Sequence, residues 1–339
     1  MKSMKTIQGF VLALLLSSGV VLLTGCEGAG TQGKGLMSSS GRSGEMLVVC
    51  ADTYWKGLLG DSLQAVFMSS LEFLPQNEPM FTLSQVNHQR FNAIYQKQRN
   101  ILYIDISEKH NVARVSVMKN KWASPQIIVS FSAKSEEEAL QLLSLKKERI
   151  KELFMQSEMR RLQKAQKAQQ DRSIDKKLQN YYKLSMIIPK GFVFAVRNEE
   201  FCWLRKETKY WGQSVLIYFQ EYTDTAMLQQ AHIIAYRNTL TKKYVFGSID
   251  STYVQVDEKY IPPGSEYFNF NGQYAVKTQG LWKTVGGDFM GGPFISFSIL
   301  DEKRKRIVTV DGFLYAPTDD KRDLLRQVEA VLLSTKIID

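Results

Sequence analysis

The residue types behind most metal and nucleophile chemistry are scarce in this chain of 339 residues, which has three cysteines and three histidines. His88, His110 and His232 lie far apart, with no His-x-x-His or His-Glu-x-x-His pair. A zinc site needs several thiolate or imidazole ligands at close spacing, so no metal centre and no cofactor is expected. No Gly-x-Ser-x-Gly elbow occurs, which removes that route to an activated serine. Ser144 and Lys147 match Ser-x-x-Lys, but in a charged helical stretch where so short a pattern arises by chance. Glu199 with Glu200 stands at a turn and Asp319 with Asp320 at a helix start, where local structure accounts for the acids. Past residue 25 no apolar run approaches the roughly 18 residues that mark a spanning helix.

What is present begins at the N-terminus. Lys2 and Lys5 precede an apolar stretch, Phe10 to Leu23, interrupted only by Ser17, Ser18 and Gly19. That run is shorter than the roughly 20 residues of a membrane span, so residues 1–25 read as a cleaved signal peptide. Leu23-Thr24-Gly25-Cys26 then resembles the bacterial lipobox. There, small residues precede the cut and the cysteine thiol takes up diacylglycerol. Cys26 is thus expected to be a lipid attachment point. Each buried methylene contributes about 0.8 kcal/mol and two or more chains hold firmly, so a water-soluble body is retained without a transmembrane helix. Residues 26–45, rich in Gly and Ser, bury too little apolar surface to offset their ordering entropy and read as a flexible tether. Only Glu27 is acidic directly after Cys26, and the expected address is the outer membrane, facing the periplasm.

Loss of residues 1–25 removes Lys2 and Lys5 and lowers the net charge of +10 by two. A basic surface suits anionic lipid or the phosphates of lipopolysaccharide, and an envelope address argues against nucleic acid. Cys50 and Cys202 both lie in strand-like runs. An oxidising compartment permits a bridge between them, but two separate buried thiols are the favoured reading.

The remaining chain suits two α+β domains, 45–162 and 181–339, each with an antiparallel sheet packed by helices. A long charged helix joins them, with a helical linker over 163–180. In the first domain, Leu59, Leu63, Phe67 and Leu71 recur on one helix face, followed by strands in 81–96, 100–107, 112–119 and 125–133. Ser135 with Glu136, Glu137 and Glu138 starts the long helix, which should bury Leu142, Leu145, Ile150, Leu153 and Phe154, then Met159 and Leu162. Beyond Leu162 it reads as a solvated arm. Alternatively, Arg160, Arg161, Lys164, Lys167, Arg172, Lys176 and Lys177 offer a basic surface to anionic headgroups. In the second domain a hairpin turns at Asn198, a helix follows Asp224, strands pair across the "DEKRK" turn at 301–305, and Thr318 with Asp319 and Asp320 opens a final helix.

One stretch invites a chemical reading: "GLWKTVGGDFMGGPF", residues 280–294. Its glycine pairs permit positive φ and close backbone approach. It lacks P-loop spacing and runs through Pro293 into a strand, so a phosphate loop is excluded. It reads first as a wide connection between strands, with Phe289 and Met290 tucked onto the sheet. Its second reading is a binding lip of Trp282, Asp288, Phe289, Met290, Gly291 and Gly292, where an aromatic face stacks on a sugar or an apolar peptide.

In order, the lipobox at Cys26, "IPKGF" at 188–192, "GLW" at 280–282, "DFMGGPF" at 288–294 and "DGFLYAP" at 311–317 resemble the Bacteroidetes lipoprotein family described as domain of unknown function 4837. The resemblance extends over nearly the whole mature chain and implies a Gram-negative envelope lipoprotein; it carries over no activity and no catalytic residue. The expected function is therefore a non-enzymatic binding or scaffolding protein, held to the membrane through Cys26, with an envelope protein or glycan as partner. The alternative is an envelope hydrolase of peptidoglycan or glycan with its site near residues 286–292.

Overall fold

The computed structural model describes residues 35–247, 249, 251–287 and 289–338. Cys26 and the signal-like segment lie outside the described residues, as does Asp288. Leu36–Asp339 forms one compact unit, in which two sheets carry two α+β domains. No helix among the described residues is long and apolar enough to cross a membrane.

The first sheet is built from β1 (Glu45–Val49), β2 (Thr82–Val86), β3 (Asn100–Ile106), β4 (Arg114–Lys119) and β5 (Ile127–Ala133), in the order β2-β1-β3-β5-β4. Here the expectation of an antiparallel sheet needs correction. β1 runs parallel to both β2 and β3, and β3 runs parallel to β5; only β4 is antiparallel, to β5. Strand propensity says where strands are, whereas direction depends on the crossovers. The helix α1 (Leu58–Phe67) supplies one crossover, between β1 and β2. The strand expected over 81–96 shortens to β2.

Alternation in β1 sends Met46 and Val48 to a core under α1 and the long helix α2 (Glu136–Ala168), and sends Leu47 and Val49 to a smaller cluster with Phe91, Tyr103 and Trp122. α1 buries Leu59, Leu63 and Phe67 and ends before Leu71. Ser135 caps α2, its hydroxyl accepting from the Glu138 amide at 3.4 Å. The buried stripe of α2 is Ala139, Leu143, Ile150, Phe154, Glu158 and Arg161, while Leu145 faces solvent. The stripe ends at Arg161, close to the expected limit at Leu162, and its last two members are charged. Glu158 accepts from Arg161 Nη2 at 2.6 Å and from Asn100 Nδ2 at 2.6 Å, so two buried charges replace apolar side chains.

The segment 163–180 divides between the end of α2 and a second helix, α3 (Arg172–Tyr182), capped by the Asp171 carboxylate. It is not a solvated arm. Gln163 and Gln166 donate to Ala330 O at 3.4 Å and Gln327 O at 2.7 Å, and α3 buries Ile174, Leu178 and Tyr182. The segment 36–44 is likewise bonded to the first domain: Met37 and Ser38 pair with Ala123 and Ser124, and Thr82 N donates to Gly44 O at 2.8 Å. Backbone hydrogen bonds, invisible in a Gly/Ser composition, order the end of the expected tether.

The second sheet is antiparallel throughout: β6 (Val193–Arg197), β7 (Phe201–Glu207), β8 (Gly212–Glu221), β9 (Tyr253–Asp257), β10 (Gly264–Phe270), β11 (Gln273–Val285), β12 (Gly291–Asp301) and β13 (Arg306–Tyr315). Its order is β9-β11-β12-β13-β8-β7-β6, with β10 sharing the edge of β11 with β9. Both faces are covered. α3 and the last helix, α5 (Arg322–Leu332), pack on Val215, Ile217, Ile295 and Phe297; α4 (Gln230–Tyr244) packs on Leu216, Tyr218 and Phe294. Gly312 of β13 makes the α5 contact feasible, because a Cβ there would lie 2.2 Å from Val328 Cγ1.

Candidate functional site

Side chains two apart on a strand share a face. Trp203, Arg205 and Glu207 of β7, Trp282 and Thr284 of β11, and Phe313 and Tyr315 of β13 therefore lie on the α4 side of the sheet. Beyond the end of α4, at Val245 to Gly247, these residues line a cavity of about 490 Å³ closed by the turn Thr208 to Trp211 and by Met290. The wall is aromatic. Trp282 meets Phe313 edge-on at 5.1 Å and tilts against Tyr315 at 6.4 Å, while Trp203, Trp211 and Tyr315 are half-buried.

The polar handles are fixed by neighbours. Trp203 Nε1 donates to Ser214 Oγ at 3.1 Å, and Trp282 Nε1 donates to Leu314 O at 3.1 Å. The turn at the mouth is held by Thr208, whose Oγ1 accepts from the amides of Tyr210 and Trp211 at 3.2 and 3.0 Å. Charge sits at the rim: Arg205 lies over Trp203 at 5.6 Å and pairs with Glu207 at 3.3 Å, and Lys209 lies beside Tyr210. Glu207 is the one carboxylate among the described lining residues, and no histidine lines the cavity. Such a lining presents a flat apolar wall with a polar rim.

The expected lip fares unevenly. Trp282 is 2 % exposed and forms part of the floor. Met290 is half-buried and lines the cavity, its amide donating to Thr284 Oγ1 at 3.0 Å. Phe289, expected on the sheet, is fully exposed. Gly286 and Gly287 take φ of +106° and +110°, which is what the wide connection required. Gly291 and Gly292 open β12 rather than cradle a ligand; a Cβ on Gly292 would lie 2.1 Å from Leu314 O. Asp288 lies outside the described residues.

Three sequence signatures thus converge: "GLW", "MGGPF" and "DGFLYAP" are adjacent segments of β11, β12 and β13, meeting at Leu314 O. The sequence reading missed Trp203, Trp211 and Tyr315. The alternation Trp203, Arg205, Glu207 and the nearby "KYWG" were the available signals.

The remaining candidates do not assemble. His88 bonds Ile104 O, His110 meets Asp105 at 2.9 Å and His232 bonds Gln220, at three separate places. Among the described residues, no group of three His, Cys, Asp or Glu is placed to hold a metal ion. Cys50 and Cys202 are both free and buried, one in each domain's core. Burial pushes the Cys202 thiol up to about 12; burial, then the charges of Glu136 and Asp52, does the same for Cys50.

No curated protein matches this chain. Among solved structures, the Saccharomyces cerevisiae Ran-binding protein Mog1p is similar at 9% identity over 46% of this chain and 91% of that one, with a TM-score of 0.30. The Mog1 E65A mutant is similar at 11% identity over 46% and 92%, with a TM-score of 0.28. Residues 39–167 match the family model described as domain of unknown function DUF8532. The likeness noted in the sequence is therefore confined to the second half of the chain, and the two matches meet at the break between α2 and α3. The second domain, over residues 171–334, belongs to the family described as domain of unknown function DUF4837.

Proposed function

We propose that this protein is a non-enzymatic binding protein of the cell envelope, held at the outer membrane, on its periplasmic side, by lipid on Cys26. It takes a glycan in the aromatic cavity of its second domain. The observation that carries this reading is the cavity wall: Trp203, Trp211 and Tyr315 half-exposed above a fixed floor of Trp282 and Phe313, with hydroxyl, amide and guanidinium groups between them. Aromatic planes stack on the apolar faces of sugar rings while the polar groups take the hydroxyls. Glu207, the one carboxylate among the described lining residues, pairs with Arg205 at 3.3 Å, which favours holding a ligand over acid–base chemistry.

Titration of the intact protein with chitotriose is expected to give a saturable change in tryptophan fluorescence, weakened about tenfold or more in Trp211→Ala. An unchanged response in that variant, or no response to the trisaccharide, rejects the glycan site.

The tether has its own measurement. In protein isolated from its native host, Ellman's reagent at about pH 8 is expected to find no thiol while the chain is folded, because Cys50 and Cys202 are buried and protonated. After denaturation it should find those two. A third reacting thiol means that Cys26 carries no lipid.

A further inference from the structure

A second concave site lies in the first domain, between the turn after β4 and the outer face of α2, with a volume of about 340 Å³. Five of its lining residues are cations, Lys119, Arg149, Arg160, Arg161 and Lys164, and none is an acid. Two of the five have counter-charges. Arg149 pairs with Glu152 at 2.9 Å in an exposed contact, and Arg161 pairs with buried Glu158 at 2.6 Å. Lys119, Arg160 and Lys164 make no ion pair with a described residue.

Arg161 separates this site from an ordinary basic surface. Its side chain is 5 % exposed, with Nη2 bonded to Glu158 and Asn100 and Nη1 to Ser157 at 2.8 Å. Its Nε is buried with no hydrogen-bond partner. An unpaired buried donor costs stability unless something accepts from it. The exposed cations Lys119, Arg160 and Lys164 line the same hollow as this buried guanidinium. Pro125, Ile127 and Leu153 line its apolar part.

We propose that this hollow binds a phosphomonoester, either the headgroup of an anionic lipid or a small soluble phosphate ester. A tetrahedral dianion offers several acceptor oxygens to cations of differing reach, which a single carboxylate does not. The site is independent of the aromatic cavity, which belongs to the other domain. It also narrows the basic stretch read in the sequence: Arg160 and Lys164 belong to the hollow, whereas Lys167, Arg172, Lys176 and Lys177 do not line it.

Calorimetric titration of the full chain in zwitterionic detergent tests this with two probes, inorganic phosphate and dihexanoyl phosphatidic acid. At low ionic strength at least one is expected to bind, with affinity falling as salt is added. The double variant R160A/K164A, altered at exposed positions, is expected to weaken binding tenfold or more, while Trp211→Ala leaves it unchanged. Phosphatidic acid binding tenfold tighter than phosphate assigns a lipid headgroup; equal affinities assign a soluble ester. Binding of neither probe, or equal binding by R160A/K164A and the unaltered chain, overturns the proposal.

Discussion

Asp311→Ala is expected to destabilise the second domain by about 3–5 kcal/mol, the cost of stranding a buried charge. Asp311 and Arg237 are both fully buried between α4 and the sheet, with Nε to Oδ2 at 2.8 Å and Nη2 to Oδ1 at 3.3 Å. The guanidinium also lies over the Phe294 ring at 4.3 Å, and its Nη1 has no hydrogen-bond partner. Removing the carboxylate leaves a cation in an apolar layer with the ring as its main remaining contact. Burial, then the charge of Asp311, holds the neighbouring Tyr218 phenol well above its usual pKa. The paired replacement, Arg237→Met with Asp311→Leu, is expected to recover most of the loss, because no charge then needs solvation. Urea denaturation followed by tryptophan fluorescence measures both. A loss below about 1 kcal/mol in Asp311→Ala, or a double variant worse than the single, contradicts this account.

Glu78→Ala is expected to cost about 2–3 kcal/mol and to loosen the joint between the domains. Its carboxylate is nearly buried and accepts from Lys321 N and Arg322 N, each at 2.7 Å, at the first turn of α5. No side chain of α5's own segment caps that helix. A residue of the first domain therefore satisfies the free amides of a helix in the second, where the helix dipole also favours negative charge. Arg322 and Arg326 return the contact, donating to Pro79 O at 2.9 Å and Met80 O at 2.7 Å. Hydrogen exchange over residues 320–326 is expected to rise sharply in Glu78→Ala and less in Glu78→Gln, which keeps an acceptor. Unchanged exchange would show that α5 does not depend on this cap.

The contrast at α5 shows where local sequence stops being informative. Thr318, Asp319 and Asp320 have the right chemistry for a cap and stand just before the helix, yet the cap comes from a residue more than two hundred positions away. At Ser135 the same kind of local signal holds, because nothing distant competes for the Glu138 amide. The cavity follows the same division. Its glycines and Trp282 were visible as a motif because close approach to Leu314 O demands them. The cavity-lining Trp203, Trp211 and Tyr315 were not, since they come from a strand, the turn after it and a distant strand that only the fold brings together.

By itself the sequence determined most helix and strand positions and the α+β class in two domains, and among the described residues it left no helix long and apolar enough to span a membrane. These follow from periodicity and composition, which act over a few residues. Only the tertiary structure decided that the first sheet is mostly parallel, that Glu158 with Arg161 and Arg237 with Asp311 are buried, and that aromatic residues from three strands enclose one cavity. Strand direction and the burial of charge depend on which distant segments pack together, and no local pattern encodes that choice.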